Sequence, residues 1–359
     1  MEDEDHLDER IRLTRDLIVA AREMGDEEAR YLVDAYYQTQ ENRKRTDNQV
    51  RSMGDAPGFL ISWMAEKNWT LECQLKRALG EYTEAHPMGD WMRNIRGIGP
   101  VLSAGFLAHI NMDHSPTVGH IWQFAGIAGH RQQEEERKAA YHVTFKKAVD
   151  PNNPPEFCLK GGYKAIPYYP DGSNAYVYQL TCGKEEAYLP DEEAEGVEDI
   201  EEVRISYRNS GQKPWEKGMK RPFNAQLKVL CWKTGQSFMK LSNRADCYYG
   251  RVYRARKEYE IARNEAGLMK ETAAAQLPHF GKSTQAYAHY ASGKLPPAQI
   301  DARSRRYAVK LFLSHLHGEW HERKFGRPAP LPYPIAFMEH VHFIHPSEGQ
   351  TKDNGGSMK

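Results

Sequence analysis

The chain has 359 residues, enough for two or three domains with sizeable cores, and its 49 basic and 49 acidic side chains balance. Balanced charge leaves any nucleic-acid binding to local patches, and no apolar run approaches the roughly 20 residues of a membrane span. The acidic start, Met1-Glu2-Asp3-Glu4-Asp5, is unlike a signal or transit peptide, and the five cysteines (Cys73, Cys158, Cys182, Cys231, Cys247) form no Cys-x-x-Cys pair, so reduced thiols and a cytoplasmic location are expected.

Residues 5–50 read as one helix, rich in Glu, Arg, Ala and Leu, with Leu13, Leu17, Ile18 and Ala21 on one face. Gly54-Asp55-Ala56-Pro57-Gly58 breaks it, and a second helix follows over 59–80. Its Phe59, Leu60, Trp63, Met64 and Leu71 suit packing against the first. Residues 1–88 are thus a helical arm of two antiparallel helices; a coiled-coil-like arm and a plain bundle segment both fit, and these helices are the candidate surface for a homo-oligomer. Residues 89–131 hold a hairpin of short helices. Residues 132–207 differ: Pro and Gly cluster over 151–172, and Ala175–Leu180 and Val203–Tyr207 read as strands. Ten acidic and no basic residues lie from Glu185 to Val203, which makes 132–207 an acidic insertion with strands. From Arg204 to Arg263 the balance reverses to fifteen Lys or Arg against four Asp or Glu. Helical periodicity returns in 222–264, with Leu227, Leu230, Cys231, Phe238 and Leu241 on a core face. Aromatics stand among these charges. Trp232 and Phe238 are expected in the core. Residues 265–300 read as a linker ending in Leu295-Pro296-Pro297. A helix from about Asp301 to Phe325, with Tyr307, Leu311, Phe312, His315 and Leu316 at helical spacing, opens a C-terminal segment 301–346; 347–359 is expected to be a disordered tail. The fold class is mainly α: helical arm, helix-hairpin-helix core, small β-containing insertion, C-terminal helix.

The hairpin carries the functional argument. A short helix ends in Met92 and Ile95, Gly97-Ile98-Gly99-Pro100 turns the chain, and Val101, Leu102 and Ala104 open the next helix. Gly97 permits positive φ, Ile98 plugs the angle between the helices, Gly99 leaves its backbone unshielded, and Pro100 suits the first helical position. The free N–H groups and the dipole at that helix start attract phosphate, in contacts that position a duplex without reading bases. A tight turn between helices with no ligand would use the same residues.

Trp91-Met92-Arg93-Asn94-Ile95-Arg96-Gly97-Ile98-Gly99-Pro100, then Trp122-Gln123-Phe124-Ala125-Gly126-Ile127, resembles the C-terminal domain of IS-one-ten type transposases. Ser210-Gly211, Lys217-Gly218-Met219-Lys220-Arg221 and Asn224-Ala225-Gln226-Leu227-Lys228 are similar to that domain's later part. The resemblance implies a DNA-binding domain made of 89–131 and 208–264, acting in transposition or recombination, with DNA as partner and a guide RNA as a further candidate. It makes Ser210 the candidate nucleophile. The family's ribonuclease-H-like domain, with four acidic metal ligands, has no counterpart in 1–90, which favours binding over catalysis.

The expected DNA contacts are Arg96, Gly97, Ile98, Gly99, Lys213, Lys217, Lys220, Arg221 and Lys228. Two classes remain open: a transposase or recombinase using Ser210, with magnesium only in that case, and a non-catalytic architectural or phage or plasmid structural protein. His317 and His321, four apart on one helix face, and His340 and His342 have metal-ligand spacing, but nothing nearby completes the set and zinc is not expected. Gly318-Glu319-Trp320-His321-Glu322 is not HExxH, and there is no P-loop, GxGxxG or GxSxG, so metalloprotease, NTPase, dinucleotide and α/β-hydrolase readings find no support.

Overall fold

The computed structural model describes residues 9–54, 58–128 and 218–330, together with the backbone of four strands lying between 128 and 218. The described chain is mainly α-helical. Eleven α-helices lie among the described residues, beginning with α1 (Arg15–Glu23), α2 (Asp26–Ser52), α3 (Phe59–Ala85), α4 (Gly89–Arg93), α5 (Pro100–His109) and α6 (Val118–Phe124). After the strands come α7 (Ala225–Lys240), α8 (Tyr248–Glu265), α9 (Lys270–Gln276), α10 (Gln285–Ala291) and α11 (Pro297–Phe325). Strands β1 (Ala139–Phe145), β2 (Ile166–Tyr168), β3 (Val177–Thr181) and β4 (Ile200–Tyr207) pair antiparallel in the order β2-β3-β1-β4. No helix among the described residues is long and apolar enough to cross a membrane.

The chain divides into two compact units. The first takes the described residues to Asn111 and Gln236–Arg251; the second takes Met112–Gly235 and the described residues from Val252 onward. In the first, α2 and α3 run antiparallel, with polar contacts crossing between them. Arg43 Nε meets Glu72 at 2.5 Å, Gln40 donates to Glu72 at 3.0 Å, and Tyr82 donates its hydroxyl to Asp26 at 2.8 Å. The apolar residues of the first half of α3 do not pack inward as expected. Phe59 (82% exposed), Leu60 (74%), Trp63, Met64 and Leu71 all face solvent, because Asn68, Glu72, Leu79 and Tyr82 form the inner side. The expected single helix over 5–50 is also corrected. Thr14 caps α1, accepting from Leu17 N–H at 3.4 Å. Met24 is extended, and α2 restarts behind Gly25 with Asp26, Glu27 and Glu28 at its positive end. Residues 1–8 lie outside the described residues.

α5 is the core helix of this unit. Val101, Ala104, Phe106, Leu107 and Ala108 are buried, and Arg30 donates to the Ala108 carbonyl at 2.6 Å.

In the second unit α11 starts at Pro297 in the first helical position and stops at Gly326, φ +67°. Ile300, Ser304, Ala308, Phe312 and Leu316, four apart, form its buried stripe with Val309 and Leu313. α7 lies close against it, since a Cβ on Gly235 would stand 3.2 Å from Arg305 Cβ. Leu227, Leu230 and Cys231 are buried as expected, but Trp232 is 59% exposed.

The linker expected over 265–300 is folded. α9 and α10 build a small core of Met269, Ala273, Tyr290, Leu295 and Ile300, and the buried Asn264 clasps Leu295, accepting its N–H at 2.8 Å and donating to its carbonyl at 3.1 Å. Short helices and polar loops hid this core from a reading by periodicity. The C-terminal segment beyond residue 330, including the expected tail, lies outside the described residues.

Candidate nucleic-acid interface

In the first unit the chain leaves α4 and turns at Gly97 with φ +100°, the left-handed region that favours glycine. One side of this turn is filled. A Cβ on Gly97 would come within 3.2 Å of Phe238 Cδ1 and 3.3 Å of Leu241 Cδ1 and Ser237 Oγ. Ser237 donates its hydroxyl to the Gly97 carbonyl at 2.7 Å, and the Cys247 thiol reaches the Arg96 carbonyl at 3.4 Å. Ile98 is buried, and its N–H donates to the Ile95 carbonyl at 3.2 Å.

The other side is open. Gly99 is exposed, its φ of −94° suits any residue, and nothing lies within 4 Å of the place a Cβ would take. Pro100 holds the first helical position, and the first helical bond of α5 runs from Ser103 N–H to Gly99 O at 2.9 Å. The N–H groups ahead of Ser103 have no helical carbonyl to meet and carry the positive end of the dipole.

Charge around the turn is mixed. Arg96 faces Asp246 at 3.2 Å, Arg244 takes the same carboxylate at 3.0 Å, and Arg93 pairs with Glu84 at 2.7 Å. These side chains are all more than a third exposed, so the pairs contribute little to stability.

Ser210, Lys213 and Lys217 lie outside the described residues. Lys220, Arg221 and Lys228 belong to the second unit and are exposed. There Lys228, in the first turn of α7, holds its ammonium 4.1 Å over the Phe223 ring. Phe223 packs on the turn at Gly126, φ +64°, where a Cβ would meet Phe223 Cγ at 2.8 Å. Asn224 fixes the start of α7: its side chain accepts Leu227 N–H at 2.9 Å and its own N–H donates to Phe124 O at 2.8 Å.

Two further cations that sequence reasoning missed, Arg306 and Lys310, lie four apart on α11. Lys310 Nζ stands 4.8 Å over the Trp122 indole, whose Nε1 donates to the Lys310 carbonyl at 3.3 Å. Burial, then Arg306, pushes Lys310 from the ordinary 10.5 down to about 8. Burial, then Arg306 and Arg221, lowers Lys228; burial, then Arg303, lowers Arg306. Among the described residues no carboxylate pairs with Lys228, Arg306 or Lys310. The available signal was a basic pair at helical spacing, a pattern that usually marks a solvated face.

The histidines of α11 are packing groups. His317 is buried with Nε2 2.8 Å from the Ser115 carbonyl, and His321 Nδ1 lies 3.1 Å from the Arg327 carbonyl. Burial pushes His317 down to about 4 against the Ser115 hydrogen bond, so its neutral ring donates there. His340 and His342 lie outside the described residues, among which no three His, Cys, Asp or Glu side chains are placed to hold a metal. Comparison of the chain with protein families, curated proteins and solved structures finds no significant match.

Proposed function

We propose that this chain binds duplex or branched DNA through the phosphate backbone, with the hairpin at 95–100 as a contact, and acts in transposition or recombination like the IS-one-ten type transposases its hairpin resembles. The observation that carries this reading is the open start of α5, where Gly99 is exposed and unobstructed. Backbone N–H groups at a helix N-terminus hold phosphate oxygens, and an absent side chain lets the backbone approach closely. Lys220, Arg221 and Lys228 supply neutralising charge in the second unit, with Lys213 and Lys217 as further candidates.

Gly99→Asp tests the contact. An Asp in that capping position satisfies the helix N–H groups itself and sets a negative charge where the phosphate would sit, while favouring the helix. The variant should fold as well as wild type and bind DNA about tenfold more weakly; unchanged binding would remove the hairpin from the interface.

Strand transfer through Ser210 is the alternative, favoured by the resemblance alone. Incubation with magnesium and supercoiled DNA decides: we expect binding without cleavage, and a nicked or protein-linked product abolished by Ser210→Ala would make the chain an enzyme. We also propose self-association through the N-terminal helices. The exposed Phe59, Leu60, Trp63 and Met64 support it, since an apolar patch of this kind marks an interaction surface. Sedimentation equilibrium should show a dimer that Leu60→Glu with Trp63→Glu converts to monomer. Residues 132–207 are proposed to be a separable acidic insertion: a Gly-Ser linker in their place should leave cooperative unfolding intact.

A further inference from the structure

We propose that Lys228, Arg306 and Lys310, with Arg221, form a second site on this protein, one that binds the oxyanion of a phosphate ester. Three cations stand on the packed helices α7 and α11 without a carboxylate among them in the described residues: Lys228 and Arg306 are exposed, and Lys310 is half-buried against Trp122. Holding a half-buried, unpaired ammonium next to a guanidinium is unfavourable, and a Met would pack on Trp122 as well; the arrangement becomes favourable once an anion sits between the charges. Phosphate suits it better than a carboxylate, because its several oxygens accept from more than two donors at once. The start of α7, a helix of 16 residues, adds its positive end beside Lys228. Phe223 and Trp122 form apolar backing under two of the ammonium groups, which strengthens their interaction with an anion. The ester is either nucleic-acid backbone or a free phosphate or small phosphate compound. The inference does not depend on the hairpin.

The test uses the full chain. Thermal melting is measured in sodium phosphate and in sodium chloride at matched ionic strength, for wild type, Lys228→Gln and Arg306→Gln with Lys310→Gln. Affinity for labelled single-stranded and duplex oligonucleotides is measured in parallel. Phosphate should raise the wild-type Tm by a few degrees over chloride. The gain should vanish in the double variant and shrink in Lys228→Gln, an exposed substitution that keeps the test sound if the double variant fails to fold. Oligonucleotide binding weakened about tenfold in the variants identifies backbone phosphate as the source. Loss of the phosphate response with oligonucleotide binding unchanged identifies a free phosphate compound. A wild-type Tm that does not distinguish phosphate from chloride, with oligonucleotide affinity unaffected by the substitutions, overturns the proposal, as does a phosphate response that both variants retain. Gly99→Asp should keep the full phosphate response, so failure of the hairpin reading and failure of this one give different results.

Discussion

Gly97 and Gly99 stand two residues apart and serve different ends. Gly97 combines φ +100° with side chains of Phe238, Leu241 and Ser237 about the space a Cβ would need. Gly97→Ala should therefore lower stability by roughly 1–3 kcal/mol, read as a shifted denaturant midpoint. Gly99 has neither constraint, and Gly99→Ala should cost less than 1 kcal/mol, as a poorer helix cap. Equal losses at the two positions would contradict the division between a packed and an open side of the turn. Lys310 gives a pH signature. Its folded value of about 8 lies below the ordinary 10.5, so the unfolded chain holds the proton more tightly. Lys310 therefore costs stability below pH 8, and stability should rise between about pH 8 and 10.5 as the proton leaves both states. Arg306 and the Trp122 ring are the groups that face it. Lys310→Met should remove this rise, worth roughly 1–3 kcal/mol, in melts compared across that window. A wild-type and variant difference that is flat with pH would show that Lys310 is not perturbed.

At the level of elements, what was legible in the sequence was local. The hairpin, the break at 54–58 and the long last helix each follow from glycine, proline and spacing within a few residues. Leu227, Leu230, Cys231 and Phe238 were recognisable as core for the same reason. Faces set by distant partners were not legible. Trp232 and the apolar residues that begin α3 look like core by composition, yet they point outward because their helices bury other sides. The α9–α10 core was hidden because helices of 7 residues show barely two turns of periodicity. Nor could spacing reveal that Glu260, in a strongly basic helix, is the buried anchor between α8 and α11. It accepts from Arg256 at 2.9 Å and Arg303 at 3.0 Å while only 1% exposed. Burial alone would raise its pKa, but the Arg303 and Arg256 guanidinia outweigh burial and hold it below 4.5. Its stabilisation is therefore present above the ordinary carboxylate range and lost as pH falls through the folded value. Glu260→Gln should cost roughly 2–3 kcal/mol at pH 7, less than a wholly buried pair because both arginines are part-exposed. That loss should shrink in acid. A loss independent of pH would mean that packing, not charge, is what Glu260 supplies.

Over the whole molecule the net charge is zero, yet its distribution is not even: fifteen cations face four anions from Arg204 to Arg263, and ten anions stand without a cation from Glu185 to Val203. We propose a separate place for phosphate in each unit, an open helix start in the first and a cation cluster in the second. Phosphate contact at the hairpin is read from a titration of a random-sequence duplex with the full chain, wild type and Gly99→Asp, from roughly 50 to 200 mM salt. Such contact predicts an affinity that falls linearly with salt on logarithmic axes, and a Gly99→Asp chain of undiminished Tm that binds about tenfold more weakly. Binding indifferent to salt, or a Gly99→Asp chain that binds as wild type does, would contradict it.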